Sequence, residues 1–420
     1  MATHTAVIDS AAAVLRSGGI RPVYQPIVDL ASGRPVGYEA LARGPRGSSL
    51  EMPGALFAAA RAEGILGSFD RACREQALAV ALRHGLSGDD LLFLNVEPDG
   101  LAQEGVLDRI GEAGLDQVSV VVELTERALA SRPSEVLAAV RWLRERGCRI
   151  ALDDVGVDPR SLGLMPFVAP DVIKLDLALT QDRLHEVQGA RVLNAIRAES
   201  ERSGAVILAE GIENESHLRR ALAMGAKLGQ GWMFGRPGPL DLTPDRGPAV
   251  SAASTLPRRE AEGVDERTPF ERIADPDSVL VGDKRLLLSL SRQLEQEAFA
   301  VQGEAVVLAT FQDARFFTDA MRRRYERIAS KASLVGALGV GVPEEPGRGV
   351  RGAGLSPGDP LRGEWDLVVV GPHFAGAFVA RDLGDTGADS ERRFEYLVTY
   401  ERERVTAAAQ ALLRHLVPNA

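Results

Sequence analysis

Seven short apolar runs in the N-terminal half of this chain carry, at or near their ends, a polar residue able to hold a metal ion or move a proton. Glu39 lies late in Gly37-Tyr38-Glu39-Ala40-Leu41-Ala42-Arg43, Asn95 ends Leu92-Phe93-Leu94-Asn95, and Glu123 ends Val120-Val121-Val122-Glu123. Asp153 and Asp154 end Ile150-Ala151-Leu152-Asp153-Asp154, Lys174 ends Val172-Ile173-Lys174, Glu210 ends Ile207-Leu208-Ala209-Glu210, and Gln230 closes the last run. Any one carboxylate after a strand is commonly a helix cap or a solvated loop residue. The same placement on successive runs points to one polar mouth. Five carboxylates (Glu39, Glu123, Asp153, Asp154 and Glu210) would then face a single lysine, Lys174. Carboxylates packed together without cations must take up protons. Hard divalent ions with oxygen ligands remove that conflict, and Mg2+ or Mn2+ suits an all-oxygen set. Two such ions ~3.5–4 Å apart are a standard device for cleaving a phosphodiester. Adjacent strand residues face opposite ways, so Asp153 and Asp154 can share the mouth only if the chain leaves strand geometry there, and Gly156 fits such a turn.

The elements that would position these groups alternate. Strands are expected at Val23–Asp29, Val36–Arg43, Leu91–Val96, Val118–Leu124, Arg149–Asp154, Val172–Leu175, Val206–Glu210 and Lys227–Gly231. Amphipathic helical patterns separate most of them, including Asp70–Arg83, Pro133–Arg146, Leu184–Arg202 and Glu215–Met224. Eight strands alternating with helices favour an α/β fold of the TIM-like (β/α)8 barrel type, whose functional groups gather at the C-terminal ends of the strands. One connection breaks the pattern. Only Leu30 to Pro35 joins the first two strands, too short for a parallel crossover, so the barrel is expected to contain one antiparallel strand.

The ordered series of motifs resembles the EAL family of cyclic di-GMP phosphodiesterases. It comprises Tyr24-Gln25-Pro26-Ile27, Glu39-Ala40-Leu41-Ala42-Arg43, Asn95, Glu123-Leu124-Thr125-Glu126, Asp153-Asp154, Ile173-Lys174-Leu175-Asp176, Ala209-Glu210-Gly211-Ile212-Glu213 and Gln230-Gly231. The resemblance implies that Glu39, Asn95, Glu123, Asp153, Asp154 and Glu210 hold two Mg2+ or Mn2+ ions. It implies catalytic roles for Lys174, Glu210, Gln230 and Glu39, with Lys174 orienting or activating the attacking water. Gln25, Leu41, Arg43 and Glu213 would line the substrate. Glu126 and Asp176, and Glu213 as well, would support the metal ligands from behind. The implied substrate is cyclic di-GMP, the product linear pGpG, and the assembly a homodimer. One motif departs: Asp153-Asp154-Val155-Gly156-Val157-Asp158-Pro159 stands where the family usually has Asp-Asp-Phe-Gly-Thr-Gly. That loop supports an alternative, a cyclic di-GMP receptor with little or no turnover. A third reading, an enolase-like metal-dependent lyase, leaves Gln25 and Arg43 without a role.

The organisation expected is a helical extension at residues 1–19, the barrel at 20–240, a linker at 241–269, and a smaller α/β domain at 270–420. The linker is rich in Pro, Ala, Ser and charge, without an apolar period. The last region is expected to have strands Ala305–Phe311, Leu334–Gly339, Leu367–Val370 and Phe374–Arg381, and helices Lys284–Glu297, Arg315–Lys331 and Glu391–Leu416. Its pattern resembles the DICT sensory domain, which implies a signalling protein or ligand as its partner. A formal net charge of −10 argues against DNA or RNA as a partner. The two cysteines, Cys73 and Cys148, form no zinc motif. No signal peptide pattern opens the chain and no apolar run is long enough to span a bilayer, so a cytoplasmic location without membrane insertion is expected. The Gly-Gly-Asp/Glu-Glu-Phe motif of diguanylate cyclases is absent.

Overall fold

Eight N-terminal strands close into a barrel in the computed structural model, which describes residues 10–88, 90–97, 118–156, 159–181, 186–242, 256–257, 259, 265–301, 304–386 and 388–416. They are β1 (Arg21–Asp29), β2 (Pro35–Arg43), β3 (Leu91–Asn95), β4 (Ser119–Thr125), β5 (Arg149–Val155), β6 (Val172–Leu175), β7 (Val206–Ala209) and β8 (Leu228–Gln230). β1 runs antiparallel to both β2 and β8, and all other neighbours are parallel. The reversal follows from the short connection. Ser32 donates to the Asp29 carboxylate at 2.7 Å, and Gly33 takes φ +69°, which closes the turn.

Strand alternation sets what fills the barrel. Ile27, Leu91, Phe93, Val121, Ala151, Val172, Val206, Leu208 and Leu228 form one buried cluster inside it. Two residues further along the parallel strands stand Asn95, Glu123, Asp153, Lys174, Glu210 and Gln230. An i, i+2 step keeps a side chain on the same face of a strand. A residue just beyond an inward-facing apolar one is therefore delivered to the open end above an apolar plug. The intervening residues, Leu92, Leu94, Val122, Leu152 and Ile173, face the surrounding helices.

The C-terminal region is a mixed seven-stranded sheet of order β12-β11-β10-β13-β14-β15-β9. Its strands are β9 (Leu280–Asp283), β10 (Val306–Asp313), β11 (Leu334–Val340), β12 (Arg351–Leu355), β13 (Glu364–Val370), β14 (Ala375–Asp382) and β15 (Arg393–Thr399). Helices Lys284–Ala300 and Asp319–Ala329 cover one face, and helix Arg402–Leu413 covers the other. The expected helix Glu391–Leu416 is corrected here. Its first part is β15, in which Phe394, Tyr396 and Leu397 are buried and which pairs with β14 and β9. Aromatic and β-branched residues suit a pleated, half-buried surface, and that pairing outweighs the helix-favouring Glu and Arg around them. β9 and β12 were likewise not expected. β9 is a four-residue strand with mostly exposed residues, and β12 is rich in glycine, so neither carries an apolar alternation.

Two features bear on the domain limits. The barrel and the C-terminal sheet share a continuous apolar cluster, in which Leu164, Phe167 and Val168 meet Leu334, Leu338, Leu355, Leu412 and Leu416. Ser134 also donates to the Leu416 carbonyl at 2.6 Å, and Arg351 to the Ser131 carbonyl at 3.0 Å. Part of the apolar core is therefore common to both regions. Within the expected linker, Leu256 is buried in the cluster at the barrel interior, and Arg259 reaches Asp171 at 3.4 Å. We expect Leu256→Ala to cost about 2–5 kcal/mol in chemical denaturation, as for other buried leucines. A change below ~0.5 kcal/mol would mean that this segment contributes nothing to the fold. Among the described residues, no helix is long and apolar enough to cross a membrane.

Candidate functional site

The open end of the barrel is organised around Lys174, which β6 holds at 1% exposure. Its Nζ lies 2.5 Å from Glu123 Oε1, 2.8 Å from Glu210 Oε1, 3.0 Å from Asp153 Oδ1 and 3.8 Å from Glu39 Oε2. Beside it runs a chain of amide hydrogen bonds. Asn95 Nδ2 donates to Glu39 Oε1 at 2.9 Å, Gln230 Nε2 to Glu39 Oε2 at 2.7 Å and to Gln25 Oε1 at 3.1 Å, and Gln25 Nε2 to the Gly235 carbonyl at 3.1 Å. The strand register explains these contacts: Gln25 is opposite Glu39, Ile27 is opposite Gln230, and Asn95 is opposite Glu123.

β5 departs from strand geometry where two aspartates must face one way. Asp154 has φ +57°, and the register to β6 shifts between Leu152 and Val155. A non-glycine residue in the left-handed region is uncommon, though aspartate tolerates it better than most. Gly156 continues the turn at φ +109°, where a Cβ would lie 2.8 Å from a Leu179 methyl. As a result Asp153, Asp154 and Glu210 each present an oxygen within 4.8 Å of the others. This is one candidate divalent-metal site among the described residues.

The charges here do not balance without a further cation. Two like charges ~4 Å apart repel by about 4 kcal/mol at an effective dielectric of 20, equivalent to roughly three pKa units. Burial, then repulsion from Glu39, pushes Glu123 well above the usual carboxylate range. Burial, opposed by Lys174 and reinforced by Asp153, pushes Glu210 up to about 8. Burial, with Asp153 and Asp176 nearby, raises Asp154. For Glu39 burial also works against the charge, but Lys174, Gln230 and Asn95 outweigh it and hold the carboxyl below its usual value. Burial works against the Lys174 ammonium as well, and the four carboxylates around it keep it well above the ordinary lysine value. Glu123 Oε2 and Gln230 Oε1 are buried without a hydrogen-bond donor. Orphaned acceptors and mutually repelling carboxyls are the donor set that an oxygen-loving dication fits.

The other sequence candidates are placed unevenly. Leu41 lines a cavity of about 590 Å3 beside the mouth, together with Glu39 and Asn95. Arg43 points its Nη1 to the Ala42 carbonyl at 2.9 Å and does not line that cavity. Asp176 caps helix Leu177–Thr180 by accepting from Ala178 N at 2.7 Å. Glu213 is exposed, and the Glu126 side chain lies outside the described residues. In the divergent loop, Val157 and Asp158 also lie outside them, while Val155 is fully buried and opposite Leu175. Sequence reasoning missed the arginines of the cavity. Arg61, Arg74 and Arg127 line it, from helices Pro53–Ala62 and Leu66–Arg83 and from the segment after β4. Arg74 forms a buried ion pair with Asp70, which also accepts from Glu97 N at 3.3 Å. The i, i+4 spacing of Asp70 and Arg74 was the available signal, but that spacing occurs on many solvated helices.

A family model described as "EAL domain" matches residues 9–237, and one described as "Sensory domain in DIguanylate Cyclases and Two-component system" matches residues 268–383. An uncharacterised protein of Mycobacterium tuberculosis is 32% identical over 235 residues, covering 54% of this chain and 37% of that protein. The cyclic di-GMP phosphodiesterase RocR of Pseudomonas aeruginosa is 28% identical over 245 residues, covering 56% of this chain and 62% of RocR. The chain therefore spans less than two thirds of either relative. The manganese and cyclic di-GMP complex of Klebsiella pneumoniae BlrP1 aligns at 28% identity with a TM-score of 0.47, covering 52% of this chain and 56% of that one.

Proposed function

The chain belongs to the EAL domain family through residues 9–237, and from that premise we propose that it is a metal-dependent phosphodiesterase that opens cyclic di-GMP to linear pGpG. The observation that carries this reading is the convergence of Asp153, Asp154 and Glu210 at a mouth whose carboxylates outnumber its one lysine. Relatives whose names or titles mention cyclic di-GMP support the choice of substrate.

In this reading Glu39, Asn95, Glu123, Asp153, Asp154 and Glu210 hold two Mg2+ or Mn2+ ions. Bound there, such ions would lower the pKa of water and offset charge on the phosphate and the leaving oxygen. The chain's own groups do the rest. The Glu39 carboxylate is fixed by two amide donors, so its orientation does not depend on a ligand. Lys174 is held as an ammonium by the carboxylates around it. When those carboxylates serve as ligands, that support weakens and burial favours the neutral amine, the form that can accept a proton from the attacking water. Water adds across one P–O3′ bond, and the ribose oxygen leaves with a proton. Gln25 and Gln230 orient the phosphate or the water. Arg43, once turned from the Ala42 carbonyl, can offer its fork to a phosphate oxygen. Arg127 lines the same cavity, in which Arg61 and Arg74 are ion-paired with Glu97 and Asp70. A homodimer and a ligand or signalling partner at the C-terminal sheet complete the reading, with a cytoplasmic setting and barrel and sensory regions near 20–240 and 270–420.

Metal binding should release protons. Glu210, at about 8 before metal binds, is largely protonated at pH 7 and must lose its proton to become a ligand. Mn2+ affinity should therefore rise from pH 6 to pH 8.5, and calorimetric heats should vary with the ionisation enthalpy of the buffer. Ca2+ should compete for the site without supporting turnover, because it is larger and less exacting in geometry. Equal rates with Mg2+, Ca2+ and a chelator would rule the metal chemistry out.

A further inference from the structure

The two edges of the C-terminal sheet are finished differently. At the β12 edge the chain covers itself: Gly352 N donates to the Glu344 carbonyl at 2.6 Å, and a Cβ on Gly352 would collide with the Pro343 carbonyl. At the β9 edge no described strand pairs with the outer side. Lys284 N donates to the Arg392 carbonyl at 2.9 Å, and β9 pairs with β15 from Leu280 to Asp283. Amides alternate in direction along a strand, so Leu280 and Gly282 turn theirs to β15, and Val281 and Asp283 turn theirs outward.

This bare edge is apolar. Leu280 and Val281 are 57% and 60% exposed, and Leu286, in the first turn of helix Lys284–Ala300, is 45% exposed. Leu280 and Val281 lie on opposite faces of the sheet. A Cβ built on Gly282 would meet a Leu286 methyl at 3.3 Å, which places Leu286 on the Leu280 face. Proline, lysine and bulges commonly keep an edge strand from pairing, and β9 has none of them. Its one charged residue, Asp283, caps the following helix by accepting from Leu286 N at 2.9 Å. Charge flanks the strand instead. Asp275 and Asp277 precede it and Arg285 follows it; all three are exposed, and none is ion-paired to a described residue. The order acid, apolar, base is its own complement when the strand is turned end for end.

We propose that β9 is a dimer contact: two copies of this chain pair their β9 strands antiparallel about a two-fold axis at Val281, joining their C-terminal sheets into one. Val281 would exchange both backbone hydrogen bonds with the partner's Val281. Leu280 would fall opposite the partner's Gly282, whose missing side chain leaves room for it beside the partner's Leu286. Asp275 and Asp277 would meet the partner's Arg285, whereas parallel pairing would set acid beside acid. A contact of this kind, made by the same surface on both copies, closes at two. The inference does not rest on the phosphodiesterase reading, and it places the contact in the C-terminal sheet rather than in the barrel.

Sedimentation velocity of the full chain and its Val281 variants is the test. Val281→Pro removes an amide hydrogen that β15 does not use and puts ring carbons in its place. Val281→Lys sets a charge on the same open edge and serves as the second variant should proline unsettle β9. Each should halve the mass of the assembly and change Tm by no more than a few degrees. Val281→Cys should give a dimer that reductant separates, because Cα atoms of a hydrogen-bonded antiparallel pair lie ~5.5 Å apart, within disulfide range. Cys73 and Cys148 are buried and should not compete. Asp277→Arg should weaken the dimer about tenfold, since each charge pair occurs twice across the axis, and adding Arg285→Asp should restore it. The proposal is overturned by a monomeric wild type, by a mass that survives both Val281→Pro and Val281→Lys, or by a Val281→Cys protein that does not cross-link. Failure of Arg285→Asp to rescue Asp277→Arg would overturn the antiparallel alignment.

Discussion

Lys174→Met should destabilise the metal-free protein by about 3–5 kcal/mol at pH 8, the usual cost of removing one partner from a buried charge pair. Four carboxylates surround its ammonium within 3.8 Å, and among the described residues no other basic side chain is ion-paired to them. Methionine fills similar space, so the loss would be one of charge rather than packing. The direction with pH follows from the carboxyls. With the lysine gone, the already raised folded pKa values of Glu123 and Glu210 lie further above the unfolded values, so the native state binds more protons than the unfolded one. Stability is then retained below about pH 4.5 and lost as pH rises through the folded values. Mn2+ should restore most of the stability at pH 8, while turnover stays at least about a hundredfold down. Urea denaturation of both proteins at pH 5 and pH 8, with and without Mn2+, reads this out. Equal stability of wild type and variant at pH 8 without metal would show that Lys174 does not neutralise the mouth.

Glu39→Ala should leave the fold intact and lower kcat by at least about a hundredfold, beyond the ten- to hundredfold that loss of an outer support around a metal commonly costs. Glu39 is 7% exposed but stands at the open end of the barrel, above the apolar plug, so water can fill the space it leaves. Its removal takes one negative charge from a crowded set, which favours the fold, and leaves the amides of Asn95 and Gln230 to water. The Tm should change by only a few degrees while the Mn2+ dependence of kcat/KM moves to higher concentration. Wild-type kinetics at limiting Mn2+ would remove Glu39 from the metal set.

The barrel was legible because two periodicities reinforce each other. Apolar residues at i and i+2 mark the inward face of a strand, and the next inward position carries the polar group; Phe93 then Asn95, Val121 then Glu123, and Val172 then Lys174 are instances. The reversed β1 followed from loop length, and the turn at Asp154 from the need to aim two adjacent aspartates one way. What escaped lies in contacts between distant segments. Arg61 and Arg74 join the cavity through packing of helices onto the barrel, which no local pattern encodes. β15 was read as helix because helix-favouring Glu and Arg surround its apolar residues, while one of its two sheet neighbours, β9, is distant in sequence. The docking of Leu256 into the barrel base from a Pro- and Ser-rich stretch is one apolar residue in a polar run, too little to signal burial.

The most direct measurement is a single-turnover assay with full-length chain in excess over cyclic di-GMP and saturating Mn2+, the nucleotides being separated by chromatography over time. Excess enzyme removes product release from the result and separates binding from bond cleavage. Metal-dependent hydrolysis at the barrel mouth predicts complete conversion to linear pGpG, abolished by chelator and by Glu39→Ala. Cyclic di-GMP recovered intact from protein that demonstrably holds it would contradict this, and would leave a receptor in which the loop after Asp154 no longer permits turnover.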